Sequence, residues 1–409
     1  MHWTGTWATA QQTPVRSYMP YNNCMSHRSV RQVVKVSAGG DMVRLKLSNI
    51  FSDEPVEISS VYIAEALTGS EIRVRSARYL TFEGHRSVKI EARAHAVSDP
   101  LRFTLKPLSL VAITINYTSA PKTPTVHMGS RTTSYILKGI SVPRTSFAHA
   151  FRYEKWFNIA ALEVYGKHRR AVAILGNSIT DGKGSTTDKQ DRWPDEMSMW
   201  LNREFLPSFS VKKTEERLTS SGKKADSAKV KKNEEQKLRE KQETDGQTAV
   251  LNLGIGNNRV LTVGYGQPGK ERFDRDILGQ SGLTDVIIFE GINDLGTTRN
   301  VETTVRQLIA AYKEMVIKAH AHHLRVWLAT ITPMKGSAYY TQQREEGREQ
   351  VNRWIREQHE ADGIIDFDAC MRSTADPHEL RSEWRLADCL HPNAEGYRQM
   401  GHFAAERIK

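Results

Sequence analysis

From about residue 165 onward, short apolar runs alternate with stretches of helical periodicity, and this alternation constrains the fold more than any other feature. The runs have the length and composition of buried strands and cover residues 171–175, 249–253, 285–289, 325–331 and 364–367. Strands that alternate with helices are typical of a parallel sheet with helices on both faces. The sequence therefore predicts a flavodoxin-like, three-layer α/β/α domain over residues 161–409.

Helical patterns occupy the segments between these runs. Arg192-Trp193-Pro194 is typical of a helix start, since proline fits the first turn. A stretch around Trp354 and the segment 393–408 also have helical patterns. One apolar stripe has clear helical spacing and consists of Val305, Leu308, Ile309, Tyr312, Met315 and Val316.

Residues 1–160 have a different pattern, which predicts a separate accessory domain. Apolar and polar residues alternate in short segments at 33–36, 43–47, 56–63, 87–90 and 111–117. Gly39-Gly40-Asp41 marks a turn between the first two segments. Short strands at this spacing favour a β-sandwich of the jelly-roll-like kind.

Composition narrows the class of protein. A chain of 409 residues with 39% apolar residues is long enough for two domains with real cores. Its three cysteines, Cys24, Cys370 and Cys389, are too widely spaced to indicate a disulfide framework or a zinc cluster. No apolar run reaches membrane-spanning length. We therefore expect no membrane span and no metal.

The formal net charge of +11 leaves two interpretations besides a solvated basic surface. Nucleic-acid binding needs a basic face with interleaved aromatic residues. The densest charge lies at residues 212–248, which contain many acids and no aromatic residue, and we interpret this segment as a charged surface insertion. We therefore predict no nucleic-acid partner, while an anionic polymer as substrate fits the charge equally well.

Three predicted strand ends carry residues suited to nucleophilic catalysis. Ser178 follows the first strand, Gly254-Ile255-Gly256-Asn257 follows the second and Asn293 follows the third. In a strand order of 2-1-3, the first strand lies between the other two, and ligands bind at the carboxyl ends of the strands. A backbone amide of the glycine-rich turn and the Asn293 amide would then stabilise the oxygen anion that forms when a serine attacks an ester.

Asp388 and His391 complete the constellation. They are three residues apart, so one turn of chain can place the carboxylate beside the imidazole. His391 would take the proton from Ser178, and Asp388 would hold the imidazole tautomer. Each motif alone is also common in ordinary turns and helix caps, but their joint occurrence at strand ends favours a catalytic function.

These motifs resemble those of the SGNH/GDSL hydrolase family of serine esterases. The matching stretches are Gly176-Asn177-Ser178, Gly254-Ile255-Gly256-Asn257, Gly291-Ile292-Asn293-Asp294 and Asp388-Cys389-Leu390-His391. The front segment, beginning Trp3-Thr4-Gly5-Thr6-Trp7, is similar to the β-domain of one subgroup. The resemblance implies Ser178 as nucleophile, His391 as base and Asp388 as its orienting carboxylate. It also implies oxyanion donors at Ser178, at the turn of Gly256 and Asn257, and at Asn293.

Two positions depart from the family pattern. The family's aspartate before the serine is Asn177 here, which keeps an acceptor but replaces a charge with a donor. The usual glycine of the oxyanion turn is Asn257, and asparagine is among the least penalised residues if this position needs positive φ. We therefore expect activity to survive with an altered pocket.

The sequence thus predicts a two-domain serine esterase that needs no cofactor and acts on an acylated carbohydrate or another small ester, with acetyl the favoured acyl group. A lipid ester hydrolase and a non-catalytic glycan-binding protein are the alternatives.

His320, His322 and His323 have metal-like spacing, but they also end a predicted helix, which suits polar and cationic groups. A secreted or periplasmic location is expected if a leader has been removed, and a cytoplasmic one otherwise.

Overall fold

The computed structural model describes residues 1–15, 19–20, 25–168, 170–205 and 246–409. Residues 212–245 of the predicted insertion lie outside the described residues. Within the described ranges, no helix combines the length and the apolar character that a membrane crossing requires.

The front part of the chain consists of antiparallel strands. Their bounds are β1 His2–Ala8, β2 Arg28–Lys35, β3 Gly40–Ser48, β4 Val56–Glu65, β5 Arg78–Leu80, β6 Val88–Ile90, β7 His95–Val97, β8 Leu101–Leu105, β9 Leu110–Ser119, β10 Val126–His127, β11 Ser134–Lys138, β12 Phe151–Tyr153, β13 Trp156–Phe157 and β14 Ile159–Gly166. β10 and β13 form a small two-stranded sheet. Of the two large sheets, one has the order β1-β14-β3-β7, with β8 on β3, and the other has the order β12-β11-β2-β9-β4-β5, with β6 on β4.

These two sheets pack face to face, as predicted for a sandwich. Leu45 and Leu162 of the first sheet share one buried apolar cluster with Val61 and Ile113 of the second. The connection at Gly39 does not close a hairpin, because β2 and β3 pair in different sheets and the chain crosses between the layers here.

The C-terminal part contains a parallel sheet and its helices. Their bounds are β15 Arg170–Gly176, α1 Ser178–Asp181, α2 Trp193–Leu201, β16 Thr248–Gly254, α3 Gly269–Phe273, β17 Asp285–Phe289, α4 Ile292–Thr297, α5 Val301–Ala321, β18 Arg325–Ala329, α6 Gln342–Glu357, β19 Gly363–Ile365, α7 Phe367–Met371 and α8 Ala394–Ile408. The strand order is β16-β15-β17-β18-β19, and every pair is parallel. The flavodoxin-like order predicted from the sequence is therefore confirmed, with α2 packed on α8 and α5 on α6.

The last two strands end earlier than their apolar runs suggested. Strand β18 ends at Ala329, although the apolar run continues to Ile331. Ile331 is buried in the apolar core of the parallel sheet and its helices. Strand β19 ends at Ile365, because the Asp366 side chain accepts a hydrogen bond from the Ala369 amide and begins α7. Burial alone therefore does not distinguish the strand end from the start of the following helix.

The two parts of the chain share a buried interface. Ala8, Ala10 and Ala161 belong to the same apolar cluster as the parallel sheet. A β-carbon at Gly5 would lie 2.9 Å from Leu251 Cδ1, so β1 packs directly on β16. We propose that the domains divide between Gly166 and Arg170 instead of at residue 160, since β14 pairs with the sandwich strands β1 and β3.

Candidate active site

Ser178 lies at a sharp turn between β15 and α1. The Asn177 side chain accepts a hydrogen bond of 3.0 Å from the Ile179 amide and so caps the one-turn helix. A β-carbon at Gly176 would lie 2.1 Å from Thr180 Oγ1, so only glycine fits where the strand ends. This turn places Ser178, which is 8% exposed, at the carboxyl edge of the parallel sheet.

The structure brings Ser178, His391 and Asp388 together in a line. Ser178 Oγ lies 2.8 Å from His391 Nε2, and His391 Nδ1 lies 2.8 Å from Asp388 Oδ2. Asp388 Oδ1 accepts hydrogen bonds from the amides of Leu390 and His391. Because a carboxylate can only accept, Nδ1 carries the proton and Nε2 is left to accept from the serine hydroxyl.

The surroundings of His391 and Asp388 lower the pKa of each group. Burial lowers the pKa of His391 below its ordinary value; the hydrogen bond and charge of Asp388 oppose this, and the positive charges of Lys183 and Arg131 add to the lowering. Partial burial alone would raise the pKa of Asp388, but hydrogen bonds from His391 and Leu390 outweigh it and hold that pKa below its usual range. At neutral pH the imidazole is therefore a free base beside an ionised carboxylate.

Asn293 is fixed by hydrogen bonds on both sides of its amide. It lies at the start of α4, is 2% exposed, and its Nδ2 donates to the Asn258 carbonyl at 2.7 Å. Its Oδ1 accepts from the Tyr339 hydroxyl at 3.0 Å. The Asn258 carbonyl can only accept, so the NH2 group of Asn293 must face it, and this contact sets the amide orientation and leaves the second N–H of Asn293 for a ligand.

The glycine-rich turn after β16 packs against α1, the short helix that starts at Ser178. The Ile255 amide donates to the Gly176 carbonyl at 3.0 Å, and a β-carbon at Gly254 would lie 2.4 Å from the Asp181 amide nitrogen. Asn257 has a φ of 53°, which is the left-handed region that asparagine tolerates better than most residues. Strands β16, β15 and β17 are adjacent, so this turn, Ser178 and Asn293 meet at one edge of the sheet.

Asn177 also contacts a buried carboxyl group. Its Nδ2 donates to Glu290 Oε2 at 3.3 Å, and Glu290 is 1% exposed. Burial raises the pKa of Glu290 well above its ordinary value, while the charge of Arg272, whose Nη2 lies 3.6 Å from Glu290 Oε1, acts against this. The donor that Asn177 has in place of an aspartate is therefore used inside the protein.

Arg272 is a structural centre of the site that sequence reasoning missed. Its buried guanidinium donates to the carbonyls of Gly176 and Leu253 and to Asn258 Oδ1. It thereby ties together the ends of β15 and β16 and the start of the next loop. The only signal in the sequence is an arginine within a helical pattern, and such residues are usually exposed.

The front module also reaches α1, through residues that the sequence did not single out. His127 Nε2 lies 2.8 Å from Asp181 Oδ1, its Nδ1 lies 2.8 Å from the Ala10 carbonyl, and both side chains are 3% exposed. A β-carbon at Gly129 would lie 1.9 Å from Asp181 Oδ2. Arg131 follows on the same loop, with Nη2 3.7 Å from that oxygen.

One group of side chains has the composition of a metal site but lies apart from these residues. The ligand atoms of Glu345, Glu349 and His378 lie within 4.8 Å of one another. Arg348 donates a bifurcated hydrogen bond from Nε and a second bond from Nη2 to the Glu345 carboxylate, so Glu345 already has a cationic partner. His320, one of the three histidines considered above, pairs with Asp362 at 2.8 Å near the end of α5.

Comparison with known proteins adds a family assignment. Residues 218–399 match the GDSL-like Lipase/Acylhydrolase family model, a segment that contains Asn293, Asp388 and His391 and begins after Ser178. No curated protein matched the chain.

Solved structures of a lipase and of esterases are similar to the C-terminal part. A GDSL-like lipase from Bacteroides thetaiotaomicron is 17% identical, with 58% of this chain and 86% of that one covered and a TM-score of 0.34. A carbohydrate acetylesterase from Sinorhizobium meliloti is 13% identical, with 59% and 98% covered and a TM-score of 0.38. An acetylxylan esterase from Geobacillus stearothermophilus is 15% identical, with 59% and 95% covered and a TM-score of 0.38. The match over residues 218–399, a little under half of the chain, identifies this segment as a GDSL-like lipase/acylhydrolase domain.

Proposed function

We propose that this protein is a serine ester hydrolase in which Ser178 is the nucleophile, His391 the general base and Asp388 the group that orients His391. The observation that carries the proposal is the 2.8 Å contact of Ser178 Oγ with His391 Nε2, backed by the 2.8 Å contact of Nδ1 with Asp388. The depressed pKa of His391 keeps its Nε2 unprotonated at neutral pH, as a base requires.

The reaction proceeds in two halves. Ser178 Oγ attacks the ester carbonyl carbon while its proton passes to His391 Nε2, and the carbonyl oxygen takes up the negative charge. The tetrahedral species collapses as His391 returns the proton to the leaving alcohol, which leaves an acyl group on Ser178. Water then gives a proton to His391 and attacks the acyl carbon, and collapse of the second tetrahedral species releases the acid and restores Ser178.

We infer that three donors stabilise the oxygen anion. They are the backbone amide of Ser178, an amide of the turn formed by Gly256 and Asn257, and Asn293 Nδ2. The geometry favours Asn293, since Tyr339 and the Asn258 carbonyl fix its orientation before any substrate arrives. Such preorganised donors lower the barrier because they need no rearrangement as charge develops.

The proposed substrate is an O-acylated carbohydrate with a short acyl group, acetyl in particular. Polar and charged groups lie near the reacting residues: Lys183 Nζ is 3.9 Å from Asp388 Oδ2, and the charges of Lys183 and Arg131 both act on His391. A long acyl chain would need an apolar channel to bury its methylene groups, whereas a short one would not. Tyr265, which is 55% exposed beside Gly256, offers an aromatic face on which a sugar ring can pack.

Ester hydrolysis and covalent labelling of the serine together test this function. We expect 4-nitrophenyl acetate to be hydrolysed by the wild type, with the rate abolished in Ser178→Ala and retained in Ser382→Ala, an exposed serine of the same domain. A fluorophosphonate should label only the peptide that contains Ser178. Equal rates for the wild type and Ser178→Ala would refute the enzyme and favour a glycan-binding protein.

The acyl chain length distinguishes the carbohydrate esterase from a lipid ester hydrolase. A series of 4-nitrophenyl esters from acetate to laurate should give the highest kcat/KM at acetate, and acetate should be released from acetylated polysaccharides. A maximum at long chains, with no acetate released from any polysaccharide, would favour lipid esters instead.

A further inference from the structure

Hydrogen bonds hold the loop that follows β10 in the front module against the hydrolase domain. The Asp188 amide donates to the Arg131 carbonyl at 3.0 Å, and Arg192 Nη1 donates to the Ser130 carbonyl at 3.2 Å. The Thr133 amide and hydroxyl both donate to the Asp188 carboxylate. Arg131 itself has a φ of 50°, a conformation that is uncommon for arginine and is here held by these contacts.

The Arg131 side chain is directed to α1, but its hydrogen-bond donors are not all used there. Its side chain is 29% exposed, and its Nη2 lies 3.7 Å from Asp181 Oδ2, which is beyond hydrogen-bond distance. Its Nε is buried and has no hydrogen-bond partner among the described residues. A buried donor of a charged group without a partner is costly, and such donors commonly mark a position where a ligand binds.

Asp181 offers Arg131 only a long contact. Its Oδ1 is paired with His127 Nε2 at 2.8 Å, and its Oδ2 lies 3.7 Å from Arg131 Nη2. Among the described residues, no hydrogen bond joins the Arg131 guanidinium to a carboxylate. The part-exposed guanidinium is therefore available to a group outside the protein.

A second cation lies on the same side of the site. Lys183 Nζ is 3.9 Å from Asp388 Oδ2, and its side chain is 51% exposed. The Lys183 carbonyl accepts a hydrogen bond from Tyr397, which fixes the backbone that connects it to α1. Because His391 must protonate the leaving alcohol, the alcohol portion of an ester lies on the His391–Asp388 side. Lys183 lies beside Asp388, and the charges of Lys183 and Arg131 both act on His391, so we place both cations near the alcohol portion.

We propose that Arg131, supplied by the front module, together with Lys183 selects esters whose alcohol portion carries a carboxylate, such as an acylated uronic acid residue. This inference rests on the proposed esterase function. The planar fork of an arginine matches a carboxylate with two parallel hydrogen bonds, and a nearby lysine adds charge without competing for that geometry.

The test compares two esters that differ in one charge, 3-acetoxybenzoate and methyl 3-acetoxybenzoate. The wild type should have the higher kcat/KM on the anion, and Arg131→Gln should reduce the ratio of the two constants by about tenfold, as expected for loss of a charge-assisted bond. Arg131→Lys should retain part of the ratio. Arg102→Gln, which removes the same charge from an exposed position on β8, is the matched control and should keep the wild-type ratio.

Two further measurements keep the inference falsifiable if Arg131→Gln folds poorly. In the wild type, raising NaCl from about 0.02 M to about 0.5 M should reduce kcat/KM on the anion and leave the methyl ester unaffected, since salt screens charges. Acetylated polygalacturonate should release acetate faster than its methyl-esterified form. Hydrolysis of both esters with a ratio indifferent to Arg131 and to salt would overturn this inference alone. Failure to hydrolyse either ester faster than Ser178→Ala would overturn the esterase itself.

Discussion

The Asn177 side chain donates a hydrogen bond to the buried carboxyl group of Glu290, and with its oxygen it caps the helix that begins at Ser178. One residue therefore connects the helix that starts at Ser178 to a carboxyl group in the protein interior. An aspartate at this position could still cap the helix, but it would place a second carboxylate against Glu290. This relationship gives a physical reason for the asparagine that precedes the serine.

Asn177→Asp is therefore expected to harm the protein. Two carboxyl groups at this distance must share a proton or repel each other, so we expect a loss of about 1–3 kcal/mol of unfolding free energy and a lower kcat. Adding Glu290→Gln should recover much of both, because the amide again supplies a donor to the carboxylate. Chemical denaturation and 4-nitrophenyl acetate kinetics on the two single variants and the double variant measure the coupling. A rise in turnover of about a hundredfold, roughly 2.7 kcal/mol of barrier, in Asn177→Asp would contradict this explanation.

The pH dependence should report His391. The base acts only when unprotonated, and its pKa lies below the ordinary value of 6.5, so kcat/KM should be constant near neutral pH and fall along an acidic limb centred below 6.5. Asp388→Asn removes the contributions that raise this pKa, so the limb should move to still lower pH. The same change should reduce kcat by about 10³–10⁴-fold, because the imidazole tautomer is no longer held. A limb that stays in place after Asp388→Asn would argue against the assigned pair.

Asn293 and Tyr339 provide a graded test of the oxyanion site. Asn293→Ala should reduce kcat by about 10²–10³-fold with little change in KM, since the donor acts in the transition state. Tyr339→Phe should have a smaller effect in the same direction, because the amide loses one of the two hydrogen bonds that orient it. Tyr340→Phe is the control, as that hydroxyl contacts Gln342 instead. Equal effects of the two tyrosine substitutions would show that Tyr339 does not act through Asn293.

Asp294 should make stability depend on pH in an unusual direction. Burial raises its pKa to about 6, although the amides of Val260 and Leu261 donate to its carboxylate. The folded state then holds a proton that the unfolded state releases above about pH 4, so this contribution is complete at low pH and is lost as pH rises through 6. The unfolding free energy of the wild type minus that of Asp294→Asn should fall by about 2 kcal/mol between pH 4 and pH 7. Urea titrations at several pH values measure this difference, and a flat difference would contradict the raised pKa.

The parts of the site that the sequence predicted share one property: their partners are local or lie at strand ends. The spacing of Asp388 and His391 predicts their contact, and the strand order places Ser178 and Asn293 at the same edge. The roles of Arg272 and His127 were not predictable from one sequence, since their partners lie far along the chain and nothing local marks either residue. Arg272 is an arginine within a helical pattern, and its burial under the turns of β15 and β16 depends on the tertiary fold. For the same reason the pattern of residues 1–160 predicted a sandwich but not which of its loops would meet α1.

Gly129 of the sandwich and Asp181 of the hydrolase domain contact each other across the interface between the two domains. A side chain at position 129 therefore has no space while Asp181 keeps its position. Any larger residue at position 129 would occupy the space of the Asp181 carboxylate, and that carboxylate is hydrogen-bonded to His127 at the end of β10. A sandwich borrowed from an unrelated protein would lack this fitted surface. The two halves of the chain are therefore expected to be inherited as one unit, and substitutions in their contact loop offer a route by which descendants change selectivity while the nucleophile stays in place.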